Sequence, residues 1–250
     1  MRGLDGQVAV VTGPASGIGW AAANRLRQEG TRVVLADIAV PRGLNTHDRS
    51  SAASFVQTDV TRQDDVVALF TQTLQQHGRI DILINNAGIP LAGSILNTTE
   101  EQWSRVMDVN VKGVYLCAQA AIPYMHRHGG GSIVNVASEL GTVGARDCAA
   151  YCASKGAVIQ LTRAMAIDHA EHGIRVNCVC PGPIETPLLD AFLEATGDRG
   201  LAADLTARDT LLGRLGQPDE IAAVIAFLAS ADASYMTGAT IIADGGVTAR

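Results

Sequence analysis

The passage from Gln7 to Gly19 constrains this chain most, because an apolar run breaks there into glycines and reopens as a helix. Gln7–Thr12 (QVAVVT) reads as a strand, and its continuous apolar character is that of a strand covered on both faces. It leads directly into Thr12-Gly13-Pro14-Ala15-Ser16-Gly17-Ile18-Gly19 and then into the helical pattern WAAANRLRQEG. Strand, glycine turn and helix in that order form a dinucleotide-binding unit. The glycines let backbone approach a pyrophosphate, and the helix start supplies unpaired N–H groups and positive partial charge. The spacing is G-x-x-x-G-x-G rather than G-x-G-x-x-G, and Pro14 removes one N–H donor from the loop.

A second strand over Thr31–Ala36 ends at Asp37, about 20 positions beyond the glycine loop. A carboxylate there can accept hydrogen bonds from adenosine ribose hydroxyls and would repel a 2′-phosphate. Arg42 is the nearby candidate for the opposite preference, but Ser16, the residue before Gly17, is not basic. The expected cofactor is therefore NAD. After the polar stretch from Ala39 to Ser54, a short strand over Ser54–Thr58 delivers Asp59 and Val60. Asp59 can face the adenine edge or cap the helix that begins near Arg62 and runs to about Gln76. Arg79–Ile84 is a strand entering Asn85-Asn86-Ala87-Gly88, whose small and amide residues let a cofactor lie close to the backbone.

Glu100 to His128 reads as helix in two pieces, with Asn110 inside an otherwise apolar segment, where a buried amide must find partners and can disturb the backbone ladder. The apolar run SIVNVA then ends at Ser138, at the strand edge where open parallel sheets bind ligands. Tyr151 and Lys155 stand four apart on the next helix, which runs to about His172. Residues i and i+4 share a helix face, so a cation beside the phenol is expected to lower its pKa from about 10 and suit it to acid–base work. Ile174–Cys180 is a strand into Pro181-Gly182-Pro183-Ile184-Glu185-Thr186. Leu188–Gly213 is helix-forming but broken by TGDRG, which predicts a lid over the site at about 186–213. A helix over Pro218–Ala229 and a strand over Ala239–Ala243 precede Asp244-Gly245-Gly246.

The remaining composition narrows the function. The 19 basic and 25 acidic residues give a net charge of −6 and no basic block, so nucleic acid is not an expected partner. No apolar run approaches about 18 residues, so no membrane span is expected. The N-terminus enters strand-like sequence without a signal-peptide pattern, and the expected location is cytoplasmic. Five cysteines without a C-x-x-C pair argue against a disulfide framework and a zinc site, and no metal is expected. Cys148 and Cys152 flank Tyr151, so a reactive thiol is conceivable, but buried cysteine usually behaves as a small apolar residue. No linker, composition shift or repeat divides the 250 residues, which fit one domain.

These motifs together resemble the classical short-chain dehydrogenase/reductase family over essentially the whole chain. T-G-x-x-x-G-I-G at Thr12–Gly19, N-N-A-G at Asn85–Gly88, Asn110, Ser138, Y-x-x-x-K at Tyr151–Lys155 and P-G at Pro181-Gly182 follow the family's order. The resemblance implies an α/β fold: a single Rossmann-like, doubly wound domain with a seven-stranded parallel sheet and helices on both faces. It implies Tyr151 as general acid/base, Lys155 lowering its pKa and binding the nicotinamide ribose, Ser138 holding the substrate oxygen, and Asn110 anchoring a water in a proton relay. Cofactor contacts would come from Gly13, Ser16, Gly17, Ile18 and Gly19, from Asp37, Asp59 and Val60, from Asn86, Ala87 and Gly88, and from Pro181, Gly182, Ile184 and Thr186, with Thr186 on the carboxamide. It also implies a homotetramer, with the helices of Tyr151 and Asn110 at one interface and the Asp244-Gly245-Gly246 turn at another.

The activity expected is NAD-dependent interconversion of a secondary alcohol (a polyol, sugar or cyclic alcohol) and its ketone. Substrate contacts are expected from Ser138, Glu139, Leu140 and Tyr151, with Pro90, Leu91, Val143, Ile184, Leu188 and the 189–213 segment as further lining. Glu139 can hydrogen-bond a polyhydroxylated substrate, pair with Arg146 or point to water. The alternatives are an NADPH-dependent 3-oxoacyl-thioester reductase, which a basic entrance patch would favour and Arg199, Arg208 and Arg214 leave open, and a catalytically silent NAD-binding protein.

Overall fold

The computed structural model describes residues 1–41, 53–194 and 199–249. Arg42, the TGDRG break at 196–198 and the Arg199 side chain lie outside the described residues.

Seven strands form one sheet: β1 (Val8–Thr12), β2 (Arg32–Asp37), β3 (Ala53–Gln57), β4 (Ile82–Asn85), β5 (Gly131–Val136), β6 (Ile174–Pro181) and β7 (Thr240–Ala243). All pairings are parallel, in the order β3-β2-β1-β4-β5-β6-β7. The helices are α1 (Gly17–Gln28), α2 (Gln63–His77), α3 (Glu100–Met107), α4 (Gly113–Arg127), α5 (Ala149–His169), α6 (Pro187–Glu194), α7 (Arg199–Arg208) and α8 (Pro218–Ala229).

The continuously apolar strands are apolar because both faces are covered. Ala9 and Val11 of β1, with Val33 and Leu35 of β2, pack on one face against Leu26 of α1 and Ile225 of α8. Val10 and Val34 point the other way, onto Leu69 and Phe70 of α2 and Leu116 and Met125 of α4. Chain order runs outward from β1 in both directions, so the strand ends on either side of the β1–β4 junction diverge and leave a crevice at the C-terminal edge.

Two local sequence expectations are refined by the structure. The strand expected over Arg79–Ile84 begins only at Ile82, and before it comes Asp81, whose backbone already donates to Val8 O at 2.9 Å and accepts Ser132 N at 2.8 Å. Its carboxylate accepts the Val8 N–H at 2.9 Å and pairs with Arg79 at 2.6 Å. Asp59 does not cap α2, whose N-cap is Arg62. It closes the preceding turn instead, accepting from Thr61 N at 2.9 Å and Thr61 Oγ1 at 2.7 Å. Far from the crevice, Arg175 ties β6 to the end of α8, donating to Leu228 O at 2.9 Å and Ser230 O at 3.0 Å.

Candidate active site

A cleft of about 1300 Å³ runs along the C-terminal edge of the sheet. At one end, the turn after β1 presents mostly backbone to the cleft. Gly13 has φ +68°, and a Cβ there would stand 2.7 Å from Ala87 Cα. Gly19 packs against Gly13 O and Asn86 Nδ2 with no room for a side chain. That close approach explains why Gly19, expected among the cofactor contacts, does not line the cleft, whereas Gly13, Ser16, Gly17 and Ile18 do. Asn86 secures the turn by donating through Nδ2 to Gly13 O at 2.9 Å and Thr12 O at 3.1 Å.

The fold implies a nicotinamide dinucleotide in this cleft, and the residues along it bear on that fit. Ser16 makes no side-chain cap on α1, so its hydroxyl does not occupy the first-turn N–H groups, which suits them to an anionic group. Asp37 lines the cleft at the end of β2, its Oδ2 accepting Ala15 N at 2.8 Å and its Oδ1 accepting Ala39 N at 3.1 Å. A carboxylate has about four acceptor positions, so both oxygens keep capacity for ribose hydroxyls. Asp59 and Val60 follow along the wall, as do Ala87 and Gly88. The residues fit the group.

At the other end, Ser138, Tyr151 and Lys155 converge from β5 and α5. Tyr151 is 6% exposed and its ring meets Phe192 of α6 edge-on, centroids 5.2 Å apart. Lys155 Nζ donates to Val136 O at 3.1 Å and lies 5.7 Å from the Tyr151 ring centroid. Burial pulls Lys155 down to about 8. The expectation that Lys155 leaves Tyr151 with a lowered pKa is corrected here. Burial raises the phenol, the Glu139 carboxylate raises it further, and a hydrogen bond with Ser138 works the other way. The thiol reading also loses ground, since burial pushes Cys148 up to about 11, away from the reactive thiolate.

Asn110 sits in a π-helical turn, Asp108–Lys112, between α3 and α4. Its Oδ1 accepts Ile89 N at 2.8 Å, and its Nδ2 donates to Ile89 O at 3.1 Å and Ser154 Oγ at 3.1 Å. It therefore stands behind the cleft wall and clamps the loop after β4 to α5. A Cβ on Gly88 would come within 3.3 Å of Asn110 Oδ1 and 3.4 Å of Lys155 Nζ, so both polar atoms stand close against this glycine.

Glu139 neither pairs with Arg146 among the described residues nor points to water. It is buried, and it accepts the Ser138 hydroxyl at 2.7 Å. Pro181, Gly182, Ile184 and Thr186 line the cleft from the end of β6. The Thr186 hydroxyl donates to Ile184 O at 3.2 Å and accepts Leu189 N at 3.2 Å, which starts α6. Leu140, Leu188 and Leu189 line the cleft as expected, but Pro90, Leu91 and Val143 do not. Lining residues that went unnoticed in the sequence include Arg105 and Val247. Phe192 belongs to the 189–213 segment expected to line the cleft, and Val247 is signalled only by the Asp244-Gly245-Gly246 turn before it. Arg214 is held by Glu220 at 2.7 Å and does not line the cleft.

A doubly wound sheet with a dinucleotide-shaped turn and a Ser–Tyr–Lys cluster at one edge defines a nicotinamide-dependent oxidoreductase. Comparison with known proteins agrees. The family profile described as enoyl-(acyl carrier protein) reductase matches residues 13–248. Meso-2,3-butanediol dehydrogenase of Serratia marcescens is 41% identical over 98% of this chain and 96% of that protein. Cis-4-hydroxycyclohexanecarboxylate dehydrogenase of Sinomonas cyclohexanicum is 42% identical over 97% of each chain. The ligand-free structure of the aldohexose dehydrogenase of Thermoplasma acidophilum superposes with a TM-score of 0.92, at 36% identity, over 99% of this chain and 96% of that one. The chain belongs to the short-chain dehydrogenase/reductase family.

Proposed function

We propose that this protein interconverts a secondary alcohol (a polyol, sugar or cyclic alcohol) and its ketone, with NAD as cofactor and Tyr151 as general acid/base. The observation that carries the reading is the convergence of Ser138, Tyr151 and Lys155 at the far end of a cleft whose near end holds Asp37. Hydride exchange with the carbinol carbon is the chemistry the nicotinamide supplies when bound. Ser138 orients the substrate oxygen, and Tyr151 takes the hydroxyl proton in oxidation or returns it in reduction. Lys155 holds the nicotinamide ribose and, when charged, favours the phenolate. Asn110 fixes the Ile89 loop and leaves one lone pair on Oδ1, which suits it to hold a relay water beside Lys155. Thr186 takes the carboxamide by exchanging its bond to Ile184 O.

Asp37 favours NAD, since its charge opposes a 2′-phosphate. The family profile's description favours the rival, an NADPH-dependent reductase of acyl thioesters, and cofactor choice separates the two. A lid over the site within a single domain is part of the same reading, supported by Leu188 and Phe192 of α6 lining the cleft. A homotetramer is supported by exposed apolar side chains on the implied interfaces, Tyr115 and Ile167 on one and Leu212 and Ile242 on the other. A cytoplasmic location is part of the same reading. Among the described residues, no helix is long and apolar enough to cross a membrane.

The test is steady-state oxidation of a panel of secondary alcohols by the protein and its Tyr151→Phe variant. The variant is expected to lose on the order of a thousandfold in kcat while still binding NADH. Retained turnover would remove Tyr151 from the chemistry, and a biological role that survives the substitution would favour the silent NAD-binding alternative.

A further inference from the structure

Beside the proposed reaction centre stands a carboxyl group that the alcohol chemistry leaves without a task. Glu139 opens the short 3-10 turn after β5, is 8% exposed and lines the same cleft as Tyr151. Its Oε2 accepts the Ser138 hydroxyl at 2.7 Å, and the N–H groups of Glu139 and Leu140 add weaker support. The titratable groups whose charge it feels or influences are Asp244, Tyr151, Cys148 and Cys180, and none of these is a cation. Arg146 lines the cleft too, yet among the described residues it makes no ion pair with Glu139.

The contact with Ser138 sets up a competition. A serine hydroxyl has one proton. Ser138 gives it to Glu139, to the Tyr151 oxygen or to the oxygen of the reacting carbon, and in the structure it goes to Glu139. When it turns to the substrate, Glu139 loses its side-chain donor in a buried place, where an unpaired acceptor is costly. A ligand with one hydroxyl cannot make good that loss. A ligand with a second hydroxyl on the adjacent carbon can, because the Ser138–Glu139 oxygen spacing of 2.7 Å resembles that of gauche oxygens on neighbouring carbons.

We propose that Glu139 is a specificity-determining residue that selects vicinal diols and the corresponding α-hydroxyketones, the second hydroxyl donating to its carboxyl group as Ser138 engages the first. This rests on the alcohol–ketone reading above. It adds a substrate class that the Ser138, Tyr151 and Lys155 cluster does not define, since those groups touch only the reacting oxygen and the cofactor.

The test compares kcat/KM for cis-cyclohexane-1,2-diol and cyclohexanol, which share a ring and differ by one hydroxyl. The unaltered protein is expected to favour the diol by about 10- to 100-fold, the range for a hydrogen bond to a charged acceptor. Glu139→Leu removes the acceptor and is expected to cut that ratio at least tenfold. Glu139→Gln keeps one acceptor oxygen and should give an intermediate ratio, which carries the test if the leucine variant does not fold. A ratio that both variants leave unchanged, or a native preference for cyclohexanol, overturns the role of Glu139 while the alcohol reading stands. Failure of the unaltered protein to oxidise either alcohol with NAD⁺ or NADP⁺ overturns the alcohol reading and this inference with it.

Discussion

The two ends of the cleft are built by different means. At the β1–β2 end the ligand surface is mostly backbone: a turn that only glycine can follow at Gly13, a helix start left uncapped by Ser16, and one fixed carboxylate on Asp37. At the β5–β6 end the surface is side chains, many from segments with no shared backbone geometry: Glu139 from a 3-10 turn, Asp147 from a loop, Phe192 from α6 and Val247 from the C-terminal turn. Backbone surfaces recognise what is constant in a cofactor. Side-chain surfaces can change substrate without disturbing the fold.

The contrast is sharpest in what each end tolerates. Gly13→Val combines a positive φ with a Cβ 2.7 Å from Ala87 Cα, so backbone must move. The expected cost is about 2–4 kcal/mol of stability, read as a drop in Tm together with loss of NADH binding. An unchanged Tm would mean that the turn relaxes freely, and the distinction between the ends would weaken.

At the substrate end the effects are electrostatic. With Tyr151 as the proposed base, alcohol oxidation needs it deprotonated, and burial with the Glu139 carboxylate holds the phenol above its usual value. Cys148 and Cys152 on its own helix push in the same direction when ionised, and Ser138 opposes them. A raised phenol is protonated at neutral pH, so the oxidation rate is expected to climb with pH through the alkaline range. Removing a negative charge lowers the phenol's pKa, so Glu139→Gln should move the midpoint of the kcat profile to lower pH. A midpoint that stays or rises would show that the two groups do not interact.

The smallest effect is expected at Asp147, a non-glycine residue with φ +54° at the cleft mouth. Asp147→Gly removes a left-handed penalty of about 1 kcal/mol, offset in part by the greater entropy of glycine in the unfolded chain. Thermal unfolding should show a gain of a few tenths of a kcal/mol. A loss would show that the Asp147 side chain holds the loop.

The same division explains what could be read in the sequence. The cofactor end was legible because glycine spacing, an acid at a strand end and a small-residue turn are local in sequence, and the strand-by-strand apolar runs fixed the sheet around them. Asn110 was visible as an anomaly in an apolar helix, though not the π-helical turn that directs it to Ile89. The rest depends on burial and on contacts between distant segments. The pKa of Tyr151 could not be inferred from the i, i+4 spacing with Lys155, because burial and the Glu139 carboxylate raise it. Glu139 was ambiguous until its exposure and its bond to Ser138 were known. Phe192 and Val247 reach the cleft only through tertiary packing.

The central claim, that Asp37 at the backbone-built end selects the cofactor, is tested most directly by titrating the purified protein and its Asp37→Ala variant with NADH and NADPH. The account predicts that the unaltered protein binds NADH at least tenfold more tightly than NADPH, and that Asp37→Ala removes most of that preference. Equal or tighter binding of NADPH by the unaltered protein would contradict it, and would move acyl-thioester reduction to the front.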